Sequence, residues 1–186
     1  FAEGMGLLAQ RSEDIHLERF SVELRPKGGR YFTTQADATH FVACRGQISV
    51  ESCRFENMMD DALNVHGVYL KVVGREGKHT LLGRFMHEQS FGFPWADPGD
   101  SVRLVTSRDI QGLEGVFHIS SISSAEVKSL DGAREVRITF REELPADYTP
   151  ERQISMENLT RTPRVLFAGN LVRHNRARGI LINTPR

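Results

Sequence analysis

Two adjacent aspartates, Asp60 and Asp61, lie in the most polar cluster of the chain, residues 57–67. Neighbouring carboxylates repel each other when both are ionised, and proteins keep such pairs where a site uses them for a water or a proton transfer. A solvated turn would also explain two aspartates. A third carboxylate, Asp37, stands 24 residues before Asp61, and each of these two directly precedes an alanine. Three carboxylates suit glycosidic-bond hydrolysis, which needs one protonated acid and one ionised base or nucleophile.

Other polar side chains accompany the carboxylates. His40, Asn64 and His66 flank them, and we predict that they hydrogen-bond sugar hydroxyls, although Asn and His at chain corners often satisfy backbone groups instead. Arg178 follows Asp61 by 117 residues, where its guanidinium could hold a carboxylate or a sugar hydroxyl. A plain salt bridge explains Arg178 equally well.

The elements that must position these residues are indicated by internal repeats. The same alternation of apolar and polar residues occurs three times, at residues 15–22, 48–55 and 165–172. A second motif, residues 62–65, recurs 24 residues earlier at 38–41 and 117 residues later at 179–182. Such an offset is typical of one coil of a parallel β-helix. The predicted fold class is therefore all-β, a right-handed parallel β-helix with an inserted small antiparallel β-barrel or sandwich.

The insertion has its own pattern. Alternation predicts antiparallel strands at five places with turn residues between them, as in the Asp97-Pro-Gly-Asp100 and Asp131-Gly132 turns. The five predicted strands are residues 68–72, 79–82, 101–105, 115–119 and 135–140. The domain prediction follows: residues 1–67 are helix coils, 68–160 are the inserted barrel-like domain, and 161–186 return to the coils.

The composition argues against several classes of function. The chain has 24 Lys+Arg and 24 Asp+Glu in 186 residues, so no field of one sign recruits nucleic acid. Its apolar runs are far shorter than the roughly 20 residues that cross a bilayer, so we expect no membrane span. Cys44 and Cys53 make neither a disulfide framework nor a zinc site. We expect no cofactor and no metal.

Five stretches carry a resemblance to a known family. They are residues 4–10, 36–41, 55–67, 98–100 and 175–178, among which Asp-Asp-Ala-Leu-Asn-Val-His-Gly at 60–67 is the most specific. With these motifs the chain resembles glycoside hydrolase family 110, the bacterial α-1,3-galactosidases, from its start to its end. The resemblance implies a parallel β-helix interrupted by barrel-like insertions. It also implies a metal-independent, inverting hydrolase that removes terminal α-1,3-linked galactose from linear or blood-group-B-type oligosaccharides and glycoconjugates.

The resemblance also assigns roles. Asp37 matches the proposed general acid of the family, and Asp60 and Asp61 match the carboxylates proposed to position and activate the water. To hold a proton near neutrality, Asp37 would need a raised pKa, from burial or from the neighbouring charges. The chain opens on Phe1 and is shorter than family proteins, so we expect it to be a fragment of the catalytic region. A periplasmic or secreted location is expected from the family.

Two alternatives remain open from the sequence. A polygalacturonase-like hydrolase also places an Asp and an Asp-Asp pair on successive coils of a β-helix, although its Asn-Thr-Asp and Gly-His-Gly runs are missing here. A non-catalytic carbohydrate-binding module would use the acidic corner only for hydrogen bonds to sugars. In either case the inserted domain could serve homo-oligomerisation.

Overall fold

The computed structural model describes residues 4–125 and 134–184. The turn predicted at Asp131-Gly132 lies outside the described residues. The described residues form sixteen strands and two short 3₁₀ turns, Glu88–Ser90 and Pro150–Arg152. The strands are β1 (Leu7–Gln10), β2 (Glu13–Glu18), β3 (Ser21–Val22), β4 (Thr39–Val42), β5 (Arg45–Glu51), β6 (Arg54–Glu56), β7 (Leu63–His66), β8 (Leu70–Glu76), β9 (Thr80–Phe85), β10 (Ser101–Thr106), β11 (Phe117–Ser124), β12 (Glu135–Phe140), β13 (Ile154–Asn158), β14 (Arg164–Ala168), β15 (Leu171–Arg173) and β16 (Ile180–Asn183).

The chain divides into two compact units. The first, the parallel-sheet unit, comprises Phe1–Gly67 and Arg161–Arg186, and the second, the barrel unit, comprises Val68–Thr160. Each unit has a core of its own, built around residues such as Phe41 and Ile48 in the first and Leu104 and Ile138 in the second. In the part of the chain that the structure describes, no helix has the length and apolar character needed to cross a membrane.

The parallel-sheet unit contains three parallel sheets, with strand orders β1-β4-β7-β16, β14-β5-β2 and β15-β6-β3. The repeat offsets reappear as pairing registers: Thr39 pairs with Leu63, and Leu63 pairs with Ile180. Alternation along β7 sends Leu63 and Val65 into the core, because successive side chains of a strand point to opposite faces. The outward positions of the same strand are thus free for polar residues.

Corners between two of these sheets use the left-handed backbone region. Arg19, Ser52 and Gly169 lie at equivalent positions after β2, β5 and β14, and their φ angles are 54°, 53° and 64°. Non-glycine residues adopt this region at a cost, so its recurrence at one register position shows that the corner itself requires it. The corner fixes the direction in which the chain enters the next strand.

The barrel unit is a closed antiparallel barrel with strand order β10-β11-β12-β9-β8-β13. Five of its strands overlap the alternating segments predicted from the sequence. The sixth, β13, was not among them: Ile154 and Met156 alternate with polar residues and lie in the core, but the run is only four residues long. This strand pairs with both β8 and β10, so it closes the barrel.

The predicted fold class, a right-handed parallel β-helix with an inserted small barrel or sandwich, was wrong. The structure instead combines three parallel sheets with a closed six-stranded antiparallel barrel, whose strands lie within Val68–Thr160. The physical reason is that sequence offsets fix which residues pair across parallel strands but not the path of the chain around an axis. Of the barrel and the sandwich expected for the insertion, the structure has the barrel, because β13 pairs with both β8 and β10 and joins the two edges that a sandwich would leave open.

Candidate functional site

Three polar residues occupy the same position relative to neighbouring strands of one sheet. Asp37, Asp61 and Arg178 each stand two residues before a strand, namely β4, β7 and β16. These strands are adjacent and parallel in the order β4-β7-β16, and their register is continuous. The three side chains therefore lie along one end of the sheet.

Backbone hydrogen bonds hold this row together. The backbone N–H of Asp61 donates to Oδ1 of Asp37 at 3.1 Å, and that of Arg178 donates to Oδ1 of Asp61 at 2.7 Å. Each aspartate thus accepts the N–H of the register-equivalent residue on the next strand. Nε of Arg178 also donates to Oδ1 of Asp61, at 3.1 Å, and its Nη2 lies 3.0 Å from Oδ2 as an ion pair. The Asp61 carboxylate, 0% exposed, is consequently fixed in place.

The outward positions of β4 and β7 supply the remaining polar side chains. His40, Asn64 and His66 are half-buried, whereas their neighbours Leu63 and Val65 lie in the core. His40 pairs in register with Asn64, so alternation places all three polar side chains on one face, beside Asp37.

Asp37 is 3% exposed and well supplied with donors. Its Oδ2 lies 2.6 Å from Nδ1 of His40 and accepts a hydrogen bond from Nδ2 of Asn64 at 3.2 Å. Burial raises the pKa of Asp37, but the hydrogen bonds from His40, the Asp61 N–H and Asn64, with the charge of His40, outweigh it and lower the pKa overall. This direction is opposite to the raised pKa that the sequence led us to expect.

Asp60 has the opposite character. Partial burial and the negative charges of Asp37 and Asp61 raise the pKa of Asp60. One carboxylate oxygen from each of the three aspartates lies within 4.8 Å of the others. The site therefore contains one carboxyl group whose environment favours ionisation, Asp37, and one whose environment favours protonation, Asp60.

Three carboxylate oxygens at this spacing are also the ligand type of a hard divalent cation. The fit is poor, because the oxygens of Asp37 accept hydrogen bonds from three partners and those of Asp61 face the Arg178 guanidinium. The positive charge beside Asp61 is thus supplied by the protein itself.

His40 and His66 form a linked pair. Their Nε2 atoms lie 2.8 Å apart, and Nδ1 of His66 lies 2.7 Å from the carbonyl oxygen of Gly67. Burial is the main reason that the pKa of His66 is lowered, and the nearby His40 acts in the same direction, although the Gly67 carbonyl and Asp37 oppose them. Both ring nitrogens of each histidine are engaged inside the site.

Asn64 keeps one polar atom unused. Its Oδ1 is buried and has no hydrogen-bond partner among the residues that the structure describes. A buried amide oxygen without a donor is costly, and a ligand hydroxyl would satisfy it. Of the predicted substrate contacts, Asn64 is the one with a free acceptor.

The structure brings all seven sequence-predicted site residues together, and they are Asp37, His40, Asp60, Asp61, Asn64, His66 and Arg178. Their catalytic and substrate-binding roles stay predictions. Arg178 is engaged with the carboxylate of Asp61, one of the two partners considered for it. The contact between His40 and His66 was not predicted. Its signal was present, since the 24-residue register pairs His40 with Asn64 and places His66 two residues further along the same face.

One family model matches part of the chain. The model described as "GLAA-B beta-barrel domain II" matches residues 80–151. This stretch lies within the barrel unit, and the description agrees with the closed barrel that replaces the predicted fold class.

Curated relatives match the whole chain. Alpha-1,3-galactosidase B of Bacteroides fragilis (strain YCH46) is 51% identical over 187 residues, which cover 100% of this chain and 31% of that relative. Alpha-1,3-galactosidase B of Akkermansia muciniphila is 40% identical over 99% of this chain and 22% of its own length. Alpha-1,3-galactosidase A of Streptomyces avermitilis is 31% identical over 100% of this chain and 30% of its own length. The chain thus spans about a third or less of these relatives.

Proposed function

This chain is homologous over its whole length to part of the bacterial α-1,3-galactosidases, and from that homology and its site we propose that it carries the acid and base carboxylates of an exo-acting galactosidase. The substrate class is oligosaccharides or glycoconjugates ending in α-1,3-linked galactose, linear or of the branched blood-group-B type. Such substrates lie outside the bacterial cell, so we propose a periplasmic or secreted location.

The observation that carries the proposal is that three neighbouring carboxyl groups have different surroundings. Asp37 is surrounded by donors, Asp60 is surrounded by negative charge, and Asp61 is held by Arg178. Pairs of carboxyl groups whose surroundings push their pKa values apart are typical of acid and base pairs in glycosidases. A solvated turn would not bury Asp61 completely or give it a backbone and a guanidinium donor.

In the mechanism we propose, Asp37 is the general acid, through the proton that its Oδ2 shares with Nδ1 of His40 at 2.6 Å, and Asp60 is the general base. Asp37 gives a proton to the glycosidic oxygen while the bond from C1 to that oxygen breaks and its electron pair goes to the oxygen. A water forms the new bond to C1 and loses one proton to Asp60, whose raised pKa suits a proton acceptor. Asp61, immobile and paired with Arg178, positions Asp60 and the water.

We propose inversion at C1. Inversion needs a carboxylate that deprotonates a water, and the buried Asp61, fixed beside Asp60 by the backbone and guanidinium donors of Arg178, would hold that water for Asp60. The nearest carboxylate oxygens lie within 4.8 Å, which is shorter than the roughly 6.5–9.5 Å between the carboxyl groups of inverting glycosidases. A water inserted between Asp60 and the sugar would require this gap to widen when substrate binds.

The test uses the full-length enzyme and α-1,3-linked galactobiose as substrate, with released galactose as the readout. Asp37→Asn and Asp60→Asn should each lower kcat by about 10²–10⁴-fold, because each removes one proton-transfer group. Asp109→Asn, an exposed position of the barrel unit, is the matched control and should keep full activity. Retained turnover in either site variant would refute the assignment. Glycan binding without turnover by the unsubstituted enzyme would favour a carbohydrate-binding module instead.

A further inference from the structure

The carbonyl oxygen of Gly67 determines which ring nitrogen of His66 donates a hydrogen bond and which one accepts. A carbonyl oxygen can only accept, so Nδ1 of His66, 2.7 Å away, must carry the proton. In a neutral imidazole the other nitrogen is then an acceptor. Burial lowers the pKa of His66, which keeps the ring neutral. Nε2 of His66 therefore accepts a hydrogen bond.

The acceptor role of His66 in turn determines which ring nitrogen of His40 must donate. Because Nε2 of His66 accepts, Nε2 of His40, 2.8 Å away, must donate. Only Nδ1 of His40 remains variable, and it faces Oδ2 of Asp37 at 2.6 Å. One proton lies between these two atoms. It belongs either to a neutral Asp37 carboxyl beside a neutral imidazole or to an imidazolium beside an Asp37 carboxylate.

We propose that His40, oriented by His66, is a positioning residue that stores the proton which Asp37 delivers to the departing glycosidic oxygen. This inference rests on the proposed function. His40 acts through Asp37 and does not itself touch the scissile bond.

The charged groups around the pair support this role. Beside His40 the ionised form of Asp37 is favoured, because burial, which raises the pKa of Asp37, is outweighed by hydrogen bonds and charge, which lower it, the largest of these contributions coming from His40. The groups that face the pair are Asn64 and His66 on β7, Asp60 and Asp61 before β7, and Arg178 before β16. Two further carboxylates, Asp60 and Asp61, lie in the same site as Asp37, and Arg178 is directed at Asp61.

Every proton that moves during the hydrolysis has a donor and an acceptor in the site. The proton on Nδ1 of His40 moves to Asp37, and Asp37 gives a proton to the glycosidic oxygen as the bond to C1 breaks. The attacking water loses its proton to Asp60. At the end His40 is neutral, Asp37 is ionised and Asp60 is protonated, and exchange with solvent restores the starting state.

The decisive variant is His40→Asn in the full-length enzyme. An asparagine amide can donate a hydrogen bond from near the position of Nδ1, but it cannot supply a proton. With α-1,3-linked galactobiose, whose leaving group needs protonation, we expect kcat/KM to fall about 10²-fold. With α-galactosyl fluoride, whose leaving group needs little protonation, kcat/KM should change by less than about 3-fold. The ratio of the two values on one preparation does not depend on the fraction of enzyme that is folded.

The pH profile gives a second readout. In the unsubstituted enzyme we expect kcat/KM to fall on the alkaline side once the proton between Asp37 and His40 is lost, because the leaving group then has no proton donor. In His40→Asn this limb should move to lower pH, because Asp37 must then hold the proton alone. His16→Asn, the same change at an exposed position of β2, is the control.

The outcomes separate the two proposals. Equal losses of kcat/KM on both substrates, or an unmoved alkaline limb, would overturn the role of His40 while leaving the galactosidase assignment intact. If the unsubstituted enzyme hydrolyses neither substrate, the proposed function itself fails.

Discussion

The three aspartates of the site differ in what surrounds their carboxyl oxygens. Asp37 receives donors from His40, Asn64 and a backbone N–H, so its charged form is stabilised. Asp61 is fixed by Arg178. Asp60 has the two other carboxylates as neighbours, and its ionisation is opposed. Residue type alone would give the three groups the same acidity, and the hydrogen-bond partners separate them.

The raised pKa of Asp60 has a consequence for stability. A group whose pKa is higher in the folded than in the unfolded state favours folding only where it is protonated, and it opposes folding once pH rises above its folded-state pKa. Asp60→Asn should therefore unfold at a higher temperature than the unsubstituted enzyme at pH 7, by about 1–4 °C. Calorimetry at several pH values is the measurement.

The gain from Asp60→Asn should shrink as pH falls below the raised pKa of the folded state and vanish below 3.8, the ordinary value for the side chain, because the aspartate is then protonated in both states. Asp109→Asn at an exposed site should show no such dependence. A lower unfolding temperature for Asp60→Asn at pH 7 would mean that the charge of Asp60 stabilises the fold.

At the scale of strands, the sequence predicts which residues pair across parallel strands better than it predicts which strands close the barrel. The offset of 24 residues was visible because Asp37-Ala38 and Asp61-Ala62 repeat, and Thr39 does pair with Leu63. The direction of the pKa of Asp37 could not be predicted, since it depends on a hydrogen bond from His40 that only side-chain geometry reveals. The closing strand β13 was missed because its alternation covers only four residues, with Ile154 and Met156 as its two apolar members.

The corner between β14 and β15 offers a test at this scale. Oδ1 of Asn170 accepts a hydrogen bond from the backbone N–H of Cys53 at 2.7 Å, and Nδ2 of Asn170 donates to the carbonyl oxygen of Val50 at 2.7 Å. Asn170 thus ties its own corner to the one between β5 and β6. Asn170→Ala should lower the free energy of unfolding by about 1–3 kcal/mol, because two backbone groups lose their partners.

Chemical denaturation of the full-length protein measures the effect of Asn170→Ala. Asn183→Ala, at an exposed position of β16, serves as the matched control and should stay within about 0.5 kcal/mol of the unsubstituted protein. An equal effect of the two substitutions would show that the bonds of Asn170 contribute nothing beyond those of an exposed asparagine.

At the scale of the whole molecule, the proposed chemistry is confined to one of two units. All seven site residues belong to the parallel-sheet unit, and the barrel unit has a separate core around residues such as Leu104 and Ile138. The homology to the α-1,3-galactosidases covers both units, yet the chain spans about a third or less of those relatives. The proposed activity is therefore to be measured on the full-length protein.

The central claim is that Asp37 protonates the leaving group while Asp60 activates a water, which inverts the configuration at C1. The direct measurement is proton NMR of the full-length enzyme acting on α-1,3-linked galactobiose and on the branched blood-group-B trisaccharide, with the anomeric signals of released galactose followed from the first turnovers. Our account predicts that β-galactose appears first and that the α anomer grows only by mutarotation. Initial release of α-galactose would contradict it, because retention requires a nucleophilic carboxylate in place of the base.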